Sequence, residues 1–209
     1  MDRARIVHPG GARLGWRPRR FGKGVRMPVH RPRRGIGASL AATAMLMLGA
    51  TALASPSGTA APPPDESLAR AETLHPAELY RVAAQLLGRP DRADEAVMWF
   101  YVGQLRYRFH LAATKPPAGA NDRVLFSALS ESVGRPVNTY AFGDVDAAVA
   151  RIDAALAWDA AHDNPLTSKT AFAKEWEEVR QGLTSLRDKM LASKDEIRET
   201  RRRNGLANR

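Results

Sequence analysis

Three side chains that could do chemistry stand in line in the stretch "AVMWFYVGQLRYRFHL", residues 96–111: Trp99, Arg106 and His110, with Gly103 between them. The four positions are spaced 4, 3 and 4, so on a helix they fall on one stripe. A ring, a gap, a cation and an imidazole in register could floor a groove. Arg106 would offer a planar fork to carboxylates, Trp99 a stacking face and His110 a titratable group. The ligand implied is anionic or peptide-like. The competing expectation is that Arg106 pairs internally with Glu78 or Asp94.

The stretch "RPVNTYAFGD", residues 135–144, is a second candidate. It reads as a ten-residue loop, long for a helix connection, in which Arg135, Asn138 and Tyr140 supply charge, amide and phenol. Loops of this kind often carry function. The plainer expectation is that Tyr140 and Phe142 plug the end of a bundle.

Other groups carry less. "AWDAAHD" sets Asp159, His162 and Asp163 at i, i+3 and i+4, a spacing that a metal would accept, but at a helix end and without the regularity of helical metal motifs. No metal site and no cofactor is expected. Ser127, Ser130 and Ser132 have no elbow motif around them, and Glu175, Glu177 and Glu178 read as a solvated charge run. No glycine-rich phosphate cradle occurs. An enzyme, if the chain is one, is a small envelope hydrolase or metalloenzyme using His110 or Asp159 with His162.

The elements that must position these groups read as all-α: about five helices in a compact bundle with a long C-terminal helix. The first spans about 76–87, with Pro76 at its first position and Gly88 as its stop. The second spans about 92–113, capped by Asp91. Met98, Tyr101, Val102, Leu105 and Phe109 share one face of it, while Ala96, Phe100, Gly103 and Tyr107 share the other. A helix apolar on two faces is covered on both, so this is the expected centre of the bundle, with Gly103 admitting a close neighbour. The third helix, about 122–133, is expected to be capped by Asn121 and to bury Val124, Leu125, Ala128, Leu129 and Val133. The fourth, about 145–162, is capped by Asp144. The fifth, about 169–203 with Ser168 as cap, carries Phe172, Trp176, Val179, Leu183, Leu186 and Met190 at steps of 4, 3, 4, 3 and 4, a heptad seam that weakens at Ser193. If that seam faced solvent, the chain would read as a structural protein that pairs with itself.

The formal charge of +10 points at first to nucleic acid or anionic membrane. The distribution removes that reading. Residues 1–54 hold 11 Lys/Arg against one acid, Asp2, whereas residues 55–209 balance at 21 basic and 21 acidic side chains. The excess belongs to a leader. Its basic stretch ends in "RPRRG", an uncharged run "IGASLAATAMLMLGATALA" follows, and Ala52-Leu53-Ala54 is an A-x-A site predicting cleavage after Ala54. Met27 offers a second start with an ordinary basic n-region. Arg33-Arg34 fits the twin-arginine pattern poorly, so the general secretory route is expected. The alternative is an uncleaved anchor, which would be the chain's one link to the membrane. Either way the body lies outside the cytoplasm, periplasmic or secreted. The chain has no Cys, which excludes disulfides, thiolate catalysis and cysteine-held metals. Residues 55–74, rich in Pro, Ser and Ala, read as a disordered linker, and 75–205 as the helical domain.

"AELYRVAAQLLGRPDRADEAVMWFY", residues 77–101, resembles one unit of a tetratricopeptide-like repeat of the short helix-pair type, through Ala96, Trp99 and Phe100 in the second helix. One copy is visible where solenoids need about three. The resemblance implies a helical surface for protein interaction. Together these readings predict an exported binding protein of the cell envelope with a protein or peptide partner, no nucleic acid, and no evident catalysis.

Overall fold

The computed structural model describes residues 61–209, and the leader readings lie outside them. The described residues are all-α. In chain order the helices are α1 (Pro64–Leu68), α2 (Pro76–Leu87), α3 (Ala93–Thr114), α4 (Asn121–Ser132), α5 (Gly134–Ala141), α6 (Val145–Ala161), α7 (Ala173–Ala192) and α8 (Lys194–Arg203).

Helix α3 is the axis of the bundle, as its two apolar faces require. Twelve of its 22 residues are buried, and α2, α5, α6 and α7 pack around it. Each fully buried large side chain, such as Phe100 or Phe109, contributes about 1.5–3 kcal/mol by leaving water. Tyr80 and Phe100 meet edge to face at 5.3 Å, and so do Phe100 and Tyr101 at 5.2 Å. Gly103 is the point of closest approach of α2. A β-carbon there would sit 3.1 Å from Leu79 Cβ, 3.2 Å from Tyr80 Cδ2 and 3.3 Å from the Pro76 carbonyl.

Local capping chemistry explains several boundaries. Pro76 opens α2, where the His75 ring nitrogen Nδ1 accepts from the Ala77 N–H at 3.2 Å. Asp144 caps α6 by accepting from the Ala147 N–H at 3.1 Å. Asp91 does not cap α3. Pro90–Arg92 form a 3-10 turn instead, and Arg92 takes the cap position while its guanidinium pairs with Glu95 at 2.7 Å and Asp65 at 2.7 Å. Asn121 likewise lies inside α4, behind Ala120.

Two segments expected to lack structure are helical. Part of the expected linker, Pro64–Leu68, forms α1 and buries Ser67, whose hydroxyl accepts from Arg81 at 3.0 Å. The expected loop 135–144 is mostly α5, because the chain re-enters a helix at Gly134 after a single residue outside both helices, Val133. Gly134 is needed for space: a β-carbon would meet the Phe100 ring at 3.1 Å.

The expected fifth helix is interrupted. Residues 168–172 form a turn in which the Ser168 hydroxyl accepts from the Ala171 N–H, and α7 starts only at Ala173. Ser193 (φ −106, ψ 17) then separates α7 from α8. The heptad seam turns inward: Val179, Leu183, Leu186 and Met190 join the core, and Ile197 follows from α8. Phe172, the first residue of the seam, stays exposed at its N-terminal end.

Helix α4 departs furthest from expectation. None of its residues is buried, and Val124 and Leu125, expected in the core, are 57% and 42% exposed. Leu129 and Val133 pack against the core as expected, joined by Phe126.

Candidate functional site

The structure gathers the chemistry-bearing side chains at the C-terminal end of α6. Val145, Val149, Ile152 and Leu156 step along the buried face of that helix at 4, 3 and 4, and Asp159 is the next position in the series. Its carboxylate is therefore carried into the interior, where it is 1% exposed. An unpaired buried carboxylate is prohibitively costly, and α3 and α7 supply the partners.

Arg106, also 1% exposed, donates from Nε to Asp159 Oδ1 at 3.2 Å. Trp176 Nε1 donates to Oδ2 at 2.9 Å. Arg180 and Lys169 approach the same oxygen at 3.6 and 3.7 Å. The remaining donors of Arg106 reach main-chain carbonyls: Glu72 at 2.8 Å, Asp163 at 2.7 Å and His162 at 3.3 Å. Lys169 donates to the carbonyls of Asp159 and His162, and Arg180 to that of Leu156 at 2.9 Å. Three cations thus close the carbonyl end of α6, where the helix dipole is negative.

Aromatic rings roof the cluster. The Arg106 guanidinium lies 4.7 Å from the Trp158 ring centroid, and Arg180 and Lys169 lie 4.9 and 5.0 Å from that of Trp176. Burial pushes the Lys169 ammonium below its ordinary range. Asp159 opposes that shift, and the neighbouring Arg106 and Arg180 reinforce it. Burial likewise pushes Arg106 down, against the pull of Asp159. Each of the three guanidinium nitrogens of Arg106 donates to an internal acceptor, so this buried arrangement acts as a clamp joining α3, α6 and α7 and leaves Arg106 no fork for a ligand.

The expected groove along Trp99, Gly103, Arg106 and His110 does not exist. Trp99 is 8% exposed, lies 5.1 Å from Trp158 and donates to Glu95 at 3.2 Å. Leu79 and Tyr80 of α2 close over Gly103. Arg106 pairs with Asp159 and with neither Glu78 nor Asp94. His110 is half-buried, hydrogen-bonded through Nδ1 to the buried Thr167 hydroxyl at 2.9 Å, with Nε2 3.7 Å from Asp122. A hydroxyl, an imidazole and a carboxylate in series suggest nucleophilic chemistry, but Thr167 is 3% exposed, so its hydroxyl is closed off from solvent.

His162 stacks on Trp158 at 4.3 Å and donates from Nδ1 to its carbonyl. Among the described residues no group of three or more His, Asp or Glu side chains could hold a metal ion. Nor is any of their helices long and apolar enough to cross a membrane.

The second candidate segment fares differently. Asn138 is internal, accepting from the Tyr101 hydroxyl at 3.1 Å. Arg135 is exposed and pairs with Glu131 one turn earlier. Tyr140 is half-buried, and its hydroxyl donates to Asp94 at 2.9 Å.

Sequence reasoning missed Asp159 as the partner of Arg106, and with it Lys169, Arg180 and Trp176. The signal for Asp159 was present in the 4-3-4-3 series of α6. Nothing local pointed to Lys169 or Arg180.

No known protein family matches the chain, and comparison with curated proteins and with solved structures found no match. The helix pair α2–α3 that resembles a tetratricopeptide-like unit thus stands as an antiparallel pair within the bundle, without a family assignment.

Proposed function

We propose that the chain is an exported helical protein of the cell envelope that works by binding a protein or peptide partner and carries no catalytic step. The observation that supports this reading is the outer face of α4. Val124, Leu125 and Ala128 are exposed on that helix, while Phe126 and Leu129 pack against the core. Exposed apolar side chains clustered on one helix face are what a partner helix or strand buries, at about 25 cal/mol per Å². The side chains that could do chemistry, by contrast, are spent on internal partners.

The export part of the proposal rests on the leader: the charge excess confined to residues 1–54, the uncharged run after "RPRRG" and the A-x-A triplet. N-terminal sequencing of the chain recovered from the envelope fraction tests it. The expected first residue is Ser55, and recovery from the cytoplasm with the leader intact overturns it.

The binding part is tested by crosslinking in envelope fractions with the tagged full chain and a Val124→Asp, Leu125→Asp variant. Both positions are exposed, so the variant should keep its helical circular dichroism. A partner captured by the unaltered chain and lost by the folded variant is the expected result. Equal capture by both overturns the role of α4.

A further inference from the structure

The segment after α8 folds back over the junction of α5 and α6. The Leu206 N–H donates to the Arg201 carbonyl at 2.9 Å, and the Arg209 N–H donates to the Gly143 carbonyl at 2.7 Å. The Arg201 guanidinium ties the two elements together, donating to Ala207 O at 2.6 Å and to Thr139 O at 2.8 Å. The peptide of residues 207–209 is therefore held through its own backbone, as an extended ligand would be.

The Arg209 side chain completes the contact. Its guanidinium carbon lies 3.6 Å from the Tyr140 ring centroid, and one of its nitrogens lies 3.7 Å from Asp94 Oδ1, the oxygen that accepts the Tyr140 hydroxyl. Arg151 approaches the other oxygen of Asp94 at 3.7 Å. Gly143 is the floor. A β-carbon there would stand 3.0 Å from the Tyr140 carbonyl, 3.2 Å from Arg209 Nε and 3.3 Å from an Arg201 nitrogen. The φ of Gly143 is not positive, so the glycine serves space and not backbone conformation. An aromatic face, a carboxylate at its edge, a carbonyl for the peptide N–H and a residue without a side chain beneath the guanidinium form a fitted arginine cradle. A depression of about 240 Å³ beside it, lined by Phe142, Ile197 and Thr200 among others, extends the surface.

We propose that Tyr140, Asp94 and Gly143 form a receptor for an arginine side chain of a partner peptide, and that Arg209 occupies it in cis until an arginine-bearing segment displaces the tail. This rests on the reading of the chain as a protein- or peptide-binding module, and it names the ligand chemistry of one site. A tethered tail acts at an effective concentration of roughly millimolar, so a competing peptide must outbid it or the tail must first be released.

The test uses the full chain and a fluorescent peptide, NGLANR, blocked at both ends. Fluorescence anisotropy should report binding to the Arg209→Ala chain about ten-fold or more tighter than to the unaltered chain, because the cis competitor is gone. The peptide with citrulline in place of arginine keeps the shape and loses the charge, and should bind at least about ten-fold more weakly. Adding Gly143→Ala or Tyr140→Leu to the Arg209→Ala chain should abolish binding with circular dichroism unchanged. A chain lacking residues 204–209 provides a second open receptor. No binding to the Arg209→Ala chain overturns the proposal, unless the shortened chain binds, in which case the remaining tail was the competitor. Equal binding of the arginine and citrulline peptides also overturns it. None of these outcomes bears on Val124 and Leu125, so failure here and failure of the α4 reading are distinguishable.

Discussion

Arg106 and Asp159 meet at 3.2 Å with their side chains 1% and 2% exposed, 53 residues apart in sequence, and each nitrogen of the guanidinium finds an acceptor. Such a pair stabilises mainly by not being broken. Its Coulomb energy is offset by the cost of removing both charges from water, whereas loss of one partner strands the other. Asp159→Ala should therefore cost about 3–5 kcal/mol. The double variant Arg106→Met, Asp159→Leu should cost much less than the sum of the singles. Urea denaturation of the three variants checks this; additive losses would contradict the clamp.

The close approach at Gly103 makes a second prediction. Gly103→Val would press a branched side chain against Leu79 and Tyr80, whose nearest atoms already stand 3.1 and 3.2 Å from a single β-carbon. Overpacking of this kind costs about 1–3 kcal/mol. Gly182, with open space around its β-carbon position on α7, is the control: Gly182→Ala should stabilise by about 0.5–1 kcal/mol through helix propensity. Thermal unfolding of the two variants should show shifts of opposite sign.

Two buried tyrosines offer a contrast. The Tyr101 hydroxyl donates to Asn138, while the Tyr107 hydroxyl is buried without a partner. Tyr101→Phe should cost about 1 kcal/mol, and Tyr107→Phe should be neutral or stabilising by a similar amount. Denaturant midpoints for the pair decide it.

Stability should fall at alkaline pH. Burial raises the Tyr80 phenol from 10.0 to about 12, and burial raises Tyr101 as well. The unfolded chain releases these protons above pH 10 while the folded chain holds them, so stability is full below pH 10 and declines as pH rises toward 12. The Tyr80 contribution alone is roughly 2–3 kcal/mol across that window. Tyrosinate absorbance and circular dichroism should change together in a pH titration, and Tyr80→Phe should move the midpoint upward.

Lys115 follows α3 in the left-handed region, with φ 48 and ψ 48, immediately before Pro116. A side chain there costs about 1–2 kcal/mol, and the exposed pair with Glu175 at 3.5 Å returns little. Lys115→Gly should raise stability by up to about 1 kcal/mol, read from the shift in urea midpoint.

Much of the fold was legible because it depends on local periodicity. The boundaries of α2 and α6 follow from Pro76, Gly88 and Asp144, and the central place of α3 follows from its two apolar faces. The inward seam of α7 was visible as a heptad, though only packing shows that it meets α3 and α6. The start of α3 escaped because Pro90 favours a tight turn over the cap that Asp91 could have made. Helix α5 escaped because "RPVNTY" has the composition of a loop and becomes helical through its packing on Phe100 and Tyr101.

The candidate sites divide the same way. Sequence alone determined that α3 carries a cation and an imidazole on one stripe, that α6 places Asp159 in its buried series, that residues 55–209 are electrically balanced and that the basic excess is confined to residues 1–54. These are properties of neighbouring residues, and a helix of 3.6 residues per turn converts them directly into faces. Tertiary structure alone decided that Arg106 would spend its donors on Asp159 and three carbonyls, that α4 would turn Val124 and Leu125 outward, and that Arg209 would lie on Tyr140. Each of these joins groups far apart in the chain or chooses which side chains of a helix meet the core. That choice is made by the cost of stranding charge and leaving space unfilled in the assembled interior, which no local pattern records.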